Sequence, residues 1–250
     1  LLGSSKTRGR RPRACWWPSW RRNSYLDRIF ISYGGVLICN PWLVGLNFGC
    51  ESIQVRIMKV KEIKLAASPQ ALHPLIRQRW SPRAFADRPL APVQMEELIE
   101  AARWAASANI EQLWQYVYAF RGTPGFEQLW ECLVTGNQAW ADRAAVLLVA
   151  LQRNSFAKSG QANPWATHDL GLANAQLLLQ AQYRDIYGHM LAGFVPDKVR
   201  TLLQLSADQG PVCMMALGYL GDAEQLAEPF RSRELAPRQR LALTAISRVL

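Results

Sequence analysis

The chain has 250 residues, of which half are hydrophobic and 19% are charged. This composition excludes a globally disordered protein and allows a large buried core in one domain or two. The net charge of +10 is unevenly spread, because residues 1–57 hold nine Lys and Arg against two acidic residues. Residues 58–250 therefore carry only +3, which gives no support to a nucleic-acid-binding surface in that part of the chain.

Residues 1–57 show no helical or strand periodicity that persists along the segment. A protein-like sequence begins at Met58, the first methionine of the chain. We interpret residues 1–57 as translated upstream sequence or a disordered leader, and residues 58–250 as the functional domain. Two alternatives stay open: a targeting leader, because Arg21-Arg22 precedes the apolar stretch 29–39, and a basic arm for nucleic acid. No apolar run is long and clean enough to predict a membrane helix.

The remaining chain predicts helices and strands in alternation. Ser68-Pro69 is typical of a helix start, since a capping residue precedes a proline. Leu72, Leu75 and Ile76 would form the apolar stripe of this helix, which runs to Arg79. Apolar periodicity then predicts helices after Pro92 and over 126–133, 167–183 and 196–203, and strands over 116–120, 144–151 and 211–219. Residues 188–194 are predicted to be a loop. The sum is an α+β fold with one sheet and helices around it.

Two arginine pairs, far apart in sequence, could bind an anion. Arg79, Ser81 and Arg83 would share one face of an extended segment, and Arg238 and Arg240 provide the second pair. Guanidinium groups form bidentate, charge-assisted hydrogen bonds to phosphate. Each pattern alone is also typical of a solvated surface, so the prediction of one phosphate site depends on the two pairs meeting.

Small residues near position 107 could accept a flat ring. Ser107 and Asn109 follow an alanine-rich helix and offer hydrogen bonds, although Asn109 could instead cap that helix. Gly193 can present its backbone N–H without a side chain in the way. A phosphate carrying a flat aromatic group is a description of FMN. We interpret His189, alone among apolar residues, as packed and hydrogen-bonded rather than catalytic.

The cysteines give no indication of a metal or redox site. No pair has C-x-x-C spacing, so neither a zinc site nor a dithiol motif is predicted. Cys132 and Cys213, the two cysteines of residues 58–250, fit a reducing cytoplasm in which each is a small buried hydrophobe.

Residues 58–250 resemble the nitroreductase family of FMN-dependent, NAD(P)H-using oxidoreductases. The resemblance lies in motifs that follow the family's order: R-x-S-x-R-x-F at 79–85, a small-residue segment at 106–114, an H-x-M-x-G-F-like stretch at 189–194, Leu217-Gly218-Tyr219, and Arg238-x-Arg240. It implies a homodimer with a central mixed or antiparallel sheet flanked by helices.

The resemblance also implies the cofactor contacts. The predicted cofactor-binding residues are Arg79, Trp80, Ser81, Arg83, Ser107, Ala108, Asn109, Asn137, Ala192, Gly193, Arg238 and Arg240. Within this set, Arg83 would lie near the pyrimidine edge of the flavin, and the Gly193 N–H would donate to flavin N5. Residues 107–109 would reach FMN from the neighbouring subunit. No side chain is expected to act as a catalytic acid or base.

The implied function is hydride transfer from NAD(P)H, by a ping-pong mechanism, to a nitroaromatic, a quinone or a related small acceptor. Alternatives are a flavin-fragmenting or dehalogenating branch of the same family, and a flavin-binding protein without turnover. Ala106 and Leu113 stand where the family has prolines, and Leu191 where methionine is common. These departures bear on the shape of the substrate pocket.

Overall fold

The computed structural model describes residues 48–250, and within them a four-stranded antiparallel sheet forms the centre. The strands lie side by side in the order β1-β2-β4-β3. Their bounds are β1 Trp114–Phe120, β2 Val146–Arg153, β3 Ile186–Leu191 and β4 Gln209–Tyr219. The predicted α+β class, with an antiparallel sheet and flanking helices, is confirmed.

Eight α-helices accompany the sheet in the described part of the chain. Their bounds are α1 Phe48–Ile63, α2 Pro74–Gln78, α3 Pro92–Arg103, α4 Pro124–Glu131, α5 Thr135–Ala141, α6 Ala166–Tyr183, α7 Pro196–Leu202 and α8 Phe230–Leu235. The short helices α5 and α8 were not predicted, because one or two turns carry too little apolar periodicity to be recognised.

The core has two layers, one on each face of the sheet. Along β2, Val146 and Leu148 pack with α3 and α6 on one face, whereas Leu147 and Val149 pack with α4, α5 and α7 on the other. This alternation follows from the two-residue period of a strand, and it explains why the sequence of β2 is apolar without interruption.

The first predicted helix begins five residues later than expected. Helix α2 starts at Pro74 and is capped by His73, whose Nδ1 accepts a hydrogen bond of 3.3 Å from the Leu75 N–H. Ser68 instead accepts from the Gln70 N–H within a turn. Both Ser68-Pro69 and His73-Pro74 place a polar residue before proline, and the second pair is the one that starts the helix. The expected apolar stripe does not pack into the core, because Leu72 and Ile76 are exposed.

Residues 186–191 form strand β3, so the prediction of a loop from residue 188 is wrong for residues 188–191. Gly188 pairs with Leu217 and Leu191 pairs with Met214. Gly188 is required there, because a Cβ would lie 2.3 Å from Leu178 Cδ2. Gly188 interrupts the strand propensity of Ile186 and Tyr187, and the pairing of β3 with β4 determines the conformation.

Helix α1 passes through the predicted domain boundary at Met58. It begins at Phe48, and Arg56 donates from Nε to Asp222 Oδ2 at 2.9 Å. The prediction for residues 1–47 lies outside the described residues, and the boundary at Met58 stays a prediction. No helix in residues 48–250 combines the length and the apolarity that a membrane crossing needs.

The segment that carries the first arginine pair is fixed to the end of β4. The Ala86 N–H donates to Tyr219 O at 2.8 Å, and the Gly221 N–H donates to Ala84 O at 2.9 Å. The backbones approach so closely that a Cβ on Gly221 would lie 2.5 Å from the carbonyl carbon of Phe85. The fold therefore anchors Arg83 at the carboxyl end of a buried central strand.

Candidate functional site

The two sequence-distant arginine pairs are brought together. Arg238 donates from Nη1 to Arg79 O at 2.5 Å and from Nη2 to Arg77 O at 2.6 Å. These bonds tie the C-terminal segment to the segment that begins at Arg79. The Arg238 Nε is buried and has no hydrogen-bond partner among the described residues. Ser81 lies beside Arg79, whose Nη1 donates to the Ser81 Oγ at 3.4 Å.

Arg79, Arg238 and Arg240 form a cluster of like charges, called here the arginine cluster. Burial lowers the pKa of Arg79, and the nearby charge of Arg240 lowers it further. Burial likewise lowers the pKa of Arg238, with additional repulsion from Arg79 and Arg240. Within residues 48–250 no carboxylate forms an ion pair with any of the three. A partly desolvated group of cations without counter-charge is what a phosphate dianion would stabilise.

Arg83 occupies a separate position, among aromatic rings. Its guanidinium carbon lies 5.7 Å from the ring centroid of Trp140 and 5.9 Å from that of Phe230. Burial lowers the pKa of Arg83; the carboxylate of Glu234 opposes this effect and the charge of Arg233 adds to it. Contacts of this kind hold a guanidinium in a fixed orientation while leaving its N–H groups available.

Asn137 and Gly193, which were predicted separately, lie in contact. The Asn137 Nδ2 donates to Gly193 O at 2.9 Å, and the Val134 N–H donates to the same oxygen at 3.1 Å. In the described chain the Gly193 N–H has no acceptor. A Cβ on Gly193 would lie 2.5 Å from Asn137 Nδ2, so the close approach between residue 193 and the Asn137 side chain requires glycine. Ala192, the neighbouring predicted residue, is exposed.

His189 is packed and hydrogen-bonded, as predicted. Its Nδ1 lies 2.9 Å from Pro82 O, and its ring centroid lies 4.8 Å from that of Trp140. Burial lowers the pKa of His189 to about 4, with smaller contributions from the charges of Arg83 and Arg79. The imidazole is therefore neutral at pH 7 and donates its Nδ1 proton to the Pro82 carbonyl. Through this bond and Trp140, strand β3 and helix α5 are joined to the segment that carries Arg83.

Trp80 packs into a small hydrophobic cluster with Val60, Tyr187 and Leu220. The side chain is 5% exposed, its ring meets Tyr187 edge-on at 6.3 Å, and the Lys64 ammonium lies 4.9 Å from its ring centroid. These contacts hold the indole ring, while its buried Nε1 has no hydrogen-bond partner among the described residues. A contact between Trp80 and a cofactor stays a prediction.

Residues 107–109 lie in a turn held by helix α6. The Ala108 N–H donates to Asp169 Oδ2 at 2.8 Å, and the Ser107 Oγ accepts from the Gln112 N–H at 3.2 Å. Asn109 does not cap α3, because that helix ends at Arg103. Within residues 48–250 no hydrogen bond joins this turn to the arginine cluster.

The turn is strained. Asn109 has φ 55° and Ile110 has φ 58°, both in the left-handed region. For a β-branched residue such as Ile110 this conformation costs about 1–3 kcal/mol. The Asp169 contact helps to hold the backbone in place against that strain.

Four residues of the site region were not found by sequence reasoning: Lys64, Trp140, Asp169 and Glu234. The Lys64 Nζ donates to Arg233 O and Ala236 O, at 2.9 and 2.5 Å. None of the four has a sequence motif. Their contacts join distant parts of the chain, and local sequence patterns do not reveal such contacts. In the described residues no group of three or more His, Cys, Asp and Glu side chains could hold a metal ion.

The nitroreductase family model matches residues 76–123 and 119–219, which is more than half of the chain. The chain belongs to the nitroreductase family. The matched region contains the Arg79–Phe85 segment, Asn137 and Gly193, whereas Arg238 and Arg240 lie beyond it. The recognition made from sequence motifs is confirmed, and the protein is an oxidoreductase of this family.

Solved structures have the same fold. An oxidoreductase containing FMN is 30% identical, with a TM-score of 0.69, over 72% of this chain and 92% of that one. A protein of Desulfovibrio desulfuricans solved in complex with FMN is 20% identical, with a TM-score of 0.55, over 71% of this chain and 96% of that one. A nitroreductase family protein of Clostridium difficile 630 is 18% identical, with a TM-score of 0.55, over 72% of this chain and 98% of that one.

One curated protein is also similar. An uncharacterised 15.4 kDa protein of Mycolicibacterium smegmatis is 31% identical over 131 residues, which is 49% of this chain and 80% of that protein.

Proposed function

We propose that this nitroreductase binds FMN and transfers hydride from NAD(P)H to a nitroaromatic, a quinone or a related small acceptor. The observation that carries the proposal is the arginine cluster, in which Arg79, Arg238 and Arg240 meet without a carboxylate partner in the described chain. A phosphate dianion supplies the missing counter-charge. The FMN contained in the 30% identical oxidoreductase supports the choice of this particular phosphate ligand.

The residues present fit FMN at both of its ends. At the phosphate end, the buried Arg238 Nε still has a hydrogen bond to donate, and the Ser81 hydroxyl lies next to the Arg79 guanidinium. At the ring end, the Gly193 N–H is available as a donor, and the side chains of Asn137 and Val134 fill the space that a Gly193 Cβ would take. Arg83 provides a cation between two aromatic rings.

FMN, when bound, would supply the redox chemistry, by accepting and then passing on a hydride at N5. The arginine cluster would bind the phosphate, and Arg83 would stabilise negative charge that develops on the ring. The Gly193 N–H would orient the ring by donating to it. His189 holds its Nδ1 proton on Pro82 O and keeps that segment in place. No acid or base is proposed, since transfer through a flavin needs none from the side chains near Arg83.

We further propose a homodimer in which residues 107–109 complete the site of the partner. Several large apolar side chains near this turn are exposed in the single chain, among them Trp104 at 74% and Ile110 at 84%. Trp165 at the start of α6 is 56% exposed. Large apolar side chains that a single chain leaves exposed are expected to be covered at a protein interface. Light scattering on the purified protein should give twice the mass of the chain, and a monomeric mass would exclude this arrangement.

The cytoplasm is the proposed location, because Cys132 and Cys213 are free and buried. A reducing compartment favours thiols in this state.

The proposed activity is tested by steady-state oxidation of NADH and NADPH by the purified protein with FMN and a quinone or nitroaromatic acceptor. We expect turnover that depends on both substrates and double-reciprocal plots with parallel lines, as ping-pong kinetics require. Free FMN at the same concentration is the control. Flavin binding with no oxidation of either nucleotide would instead favour a flavin-binding protein without turnover.

A further inference from the structure

Glu234 is a buried carboxylate whose hydrogen bonds go to the backbone of the arginine-bearing segment. The side chain is 1% exposed and lies on helix α8. Its Oε1 accepts from the Arg83 N–H at 3.0 Å and from the Ala84 N–H at 3.1 Å, and its Oε2 accepts from the Arg83 N–H at 3.1 Å. In the described chain no side chain donates to it. Glu234 therefore fixes the backbone from which the Arg83 side chain extends.

The charge of Glu234 also acts on Arg83. Burial raises the pKa of Glu234, while the backbone N–H bonds from Ala84 and Arg83 and the charges of Lys64 and Arg83 oppose that rise. In turn, the carboxylate opposes the fall in the pKa of Arg83 that burial causes. The backbone hydrogen bonds and the nearby positive charges offset part of the cost of burying this carboxylate.

Other contacts hold the helix that carries Glu234. Lys64 donates to the carbonyl oxygens of Arg233 and Ala236 on either side of it. Arg238, four residues on, donates to the carbonyls of Arg77 and Arg79. These bonds hold the C-terminal part of α8 and the segment that follows it, and Glu234 is the member of this group that contacts the backbone at Arg83.

We propose that Glu234 is a positioning residue for the flavin site, acting through Arg83. It holds the Arg83 backbone so that the guanidinium lies between Trp140 and Phe230, in the place where the ring end of FMN would bind. This inference rests on the proposed function, since it concerns how Arg83 is presented to the flavin.

A double-mutant cycle on FMN affinity tests the proposal. The dissociation constant is measured by quenching of flavin fluorescence for wild type, Glu234→Gln, Arg83→Met and the double variant. Glutamine keeps one acceptor oxygen and the volume of the side chain but removes the charge and the second acceptor. We expect Glu234→Gln to weaken FMN binding about tenfold when Arg83 is present, and by less than about twofold in the Arg83→Met protein. A role in general stability would instead give equal factors in both backgrounds.

The matched control is Glu228→Gln, because Glu228 is exposed and its bonds within residues 48–250 go to Arg231 and Ser232. It should leave FMN affinity unchanged. If Glu234→Gln does not fold, the same cycle is run with Glu234→Asp, which keeps the charge but withdraws the oxygens by one methylene. Equal factors in the two backgrounds, or wild-type affinity in a folded Glu234 variant, would overturn the proposal. Failure of the wild-type protein itself to bind FMN would refute the proposed function, and the wild-type titration shows this separately.

Discussion

Replacing Arg79 by glutamine weakens FMN binding roughly 10- to 100-fold while leaving the cofactor-free protein at least as stable as wild type. A charge-assisted hydrogen bond is worth about 1.5–3 kcal/mol, and each 1.4 kcal/mol is a factor of about ten in affinity. Arg79 lies in a cluster of cations without a carboxylate partner in the described residues, and both burial and Arg240 lower its pKa. Charge on Arg79 is therefore unfavourable in the free protein and favourable once a phosphate is bound.

The lowered pKa of Arg79 determines the direction of both expected changes, in FMN affinity and in the stability of the cofactor-free protein. A cation with a lowered pKa in the folded state destabilises the fold, so its removal relieves repulsion from Arg238 and Arg240. Glutamine keeps part of the stem and can still bond to the Ser81 hydroxyl. Sites that bind ligands commonly give up stability in this way.

FMN titration checks the expected loss of affinity, and thermal melting of the cofactor-free protein checks the expected stability. Arg184→Gln is the control, because Arg184 is exposed and paired with Glu97, far from the cluster in sequence. Its removal changes the net charge equally and should leave FMN affinity unchanged. If Arg79→Gln binds FMN as tightly as wild type does, Arg79 does not contact the phosphate.

Replacing Arg83 by alanine slows reduction of the bound flavin by NAD(P)H about 100-fold. Removal of one group that stabilises charge developing in the transition state typically costs about 2.7–4 kcal/mol, or 10²–10³ in rate. Arg83 is the cation that the structure holds near the rings of Trp140 and Phe230, apart from the arginine cluster. Its loss should therefore affect the rate of reduction more than the affinity for the phosphate end.

Two further variants separate charge from packing. Arg83→Met keeps an apolar stem against the aromatic rings without the charge, and we expect it to be as slow as Arg83→Ala. Arg83→Lys keeps the charge but not the planar fork, and it should recover part of the rate. Stopped-flow reduction under saturating FMN measures all three. Wild-type rates in the alanine and methionine variants, with FMN retained, would show that Arg83 has no such role.

The central sheet could be predicted because its strands β2 and β4 are buried on both faces, and burial on both faces gives uninterrupted apolar runs. Helix α6 was predicted for a similar reason, since its length makes the apolar period clear. Strand β3 was missed, because Gly188 and His189 have low strand propensity and only the pairing with β4 defines them. Helix α2 was misplaced, because two proline-led starts lie five residues apart and local sequence does not decide between them.

The candidate site likewise has one part that could be predicted from the sequence and one part that could not. Residues whose types suit an anion or a close approach, such as Arg79, Arg83 and Gly193, are visible in sequence as short motifs. The meeting of Arg238 with Arg79, and of Asn137 with Gly193, depends on contacts across more than fifty residues. Glu234 has no motif of its own, because its function is to accept hydrogen bonds from backbone N–H groups, which every residue except proline provides.

Comparative titration of the purified wild-type protein with FMN and with riboflavin tests the central claim most directly. The two ligands share the ring and the ribityl chain and differ only in the phosphate, so the ratio of their dissociation constants measures what the phosphate contributes. If Arg79, Arg238 and Arg240 bind that phosphate, FMN should bind at least about 100-fold more tightly than riboflavin. Equal affinity for both, or no binding of FMN to the folded protein, would contradict the account.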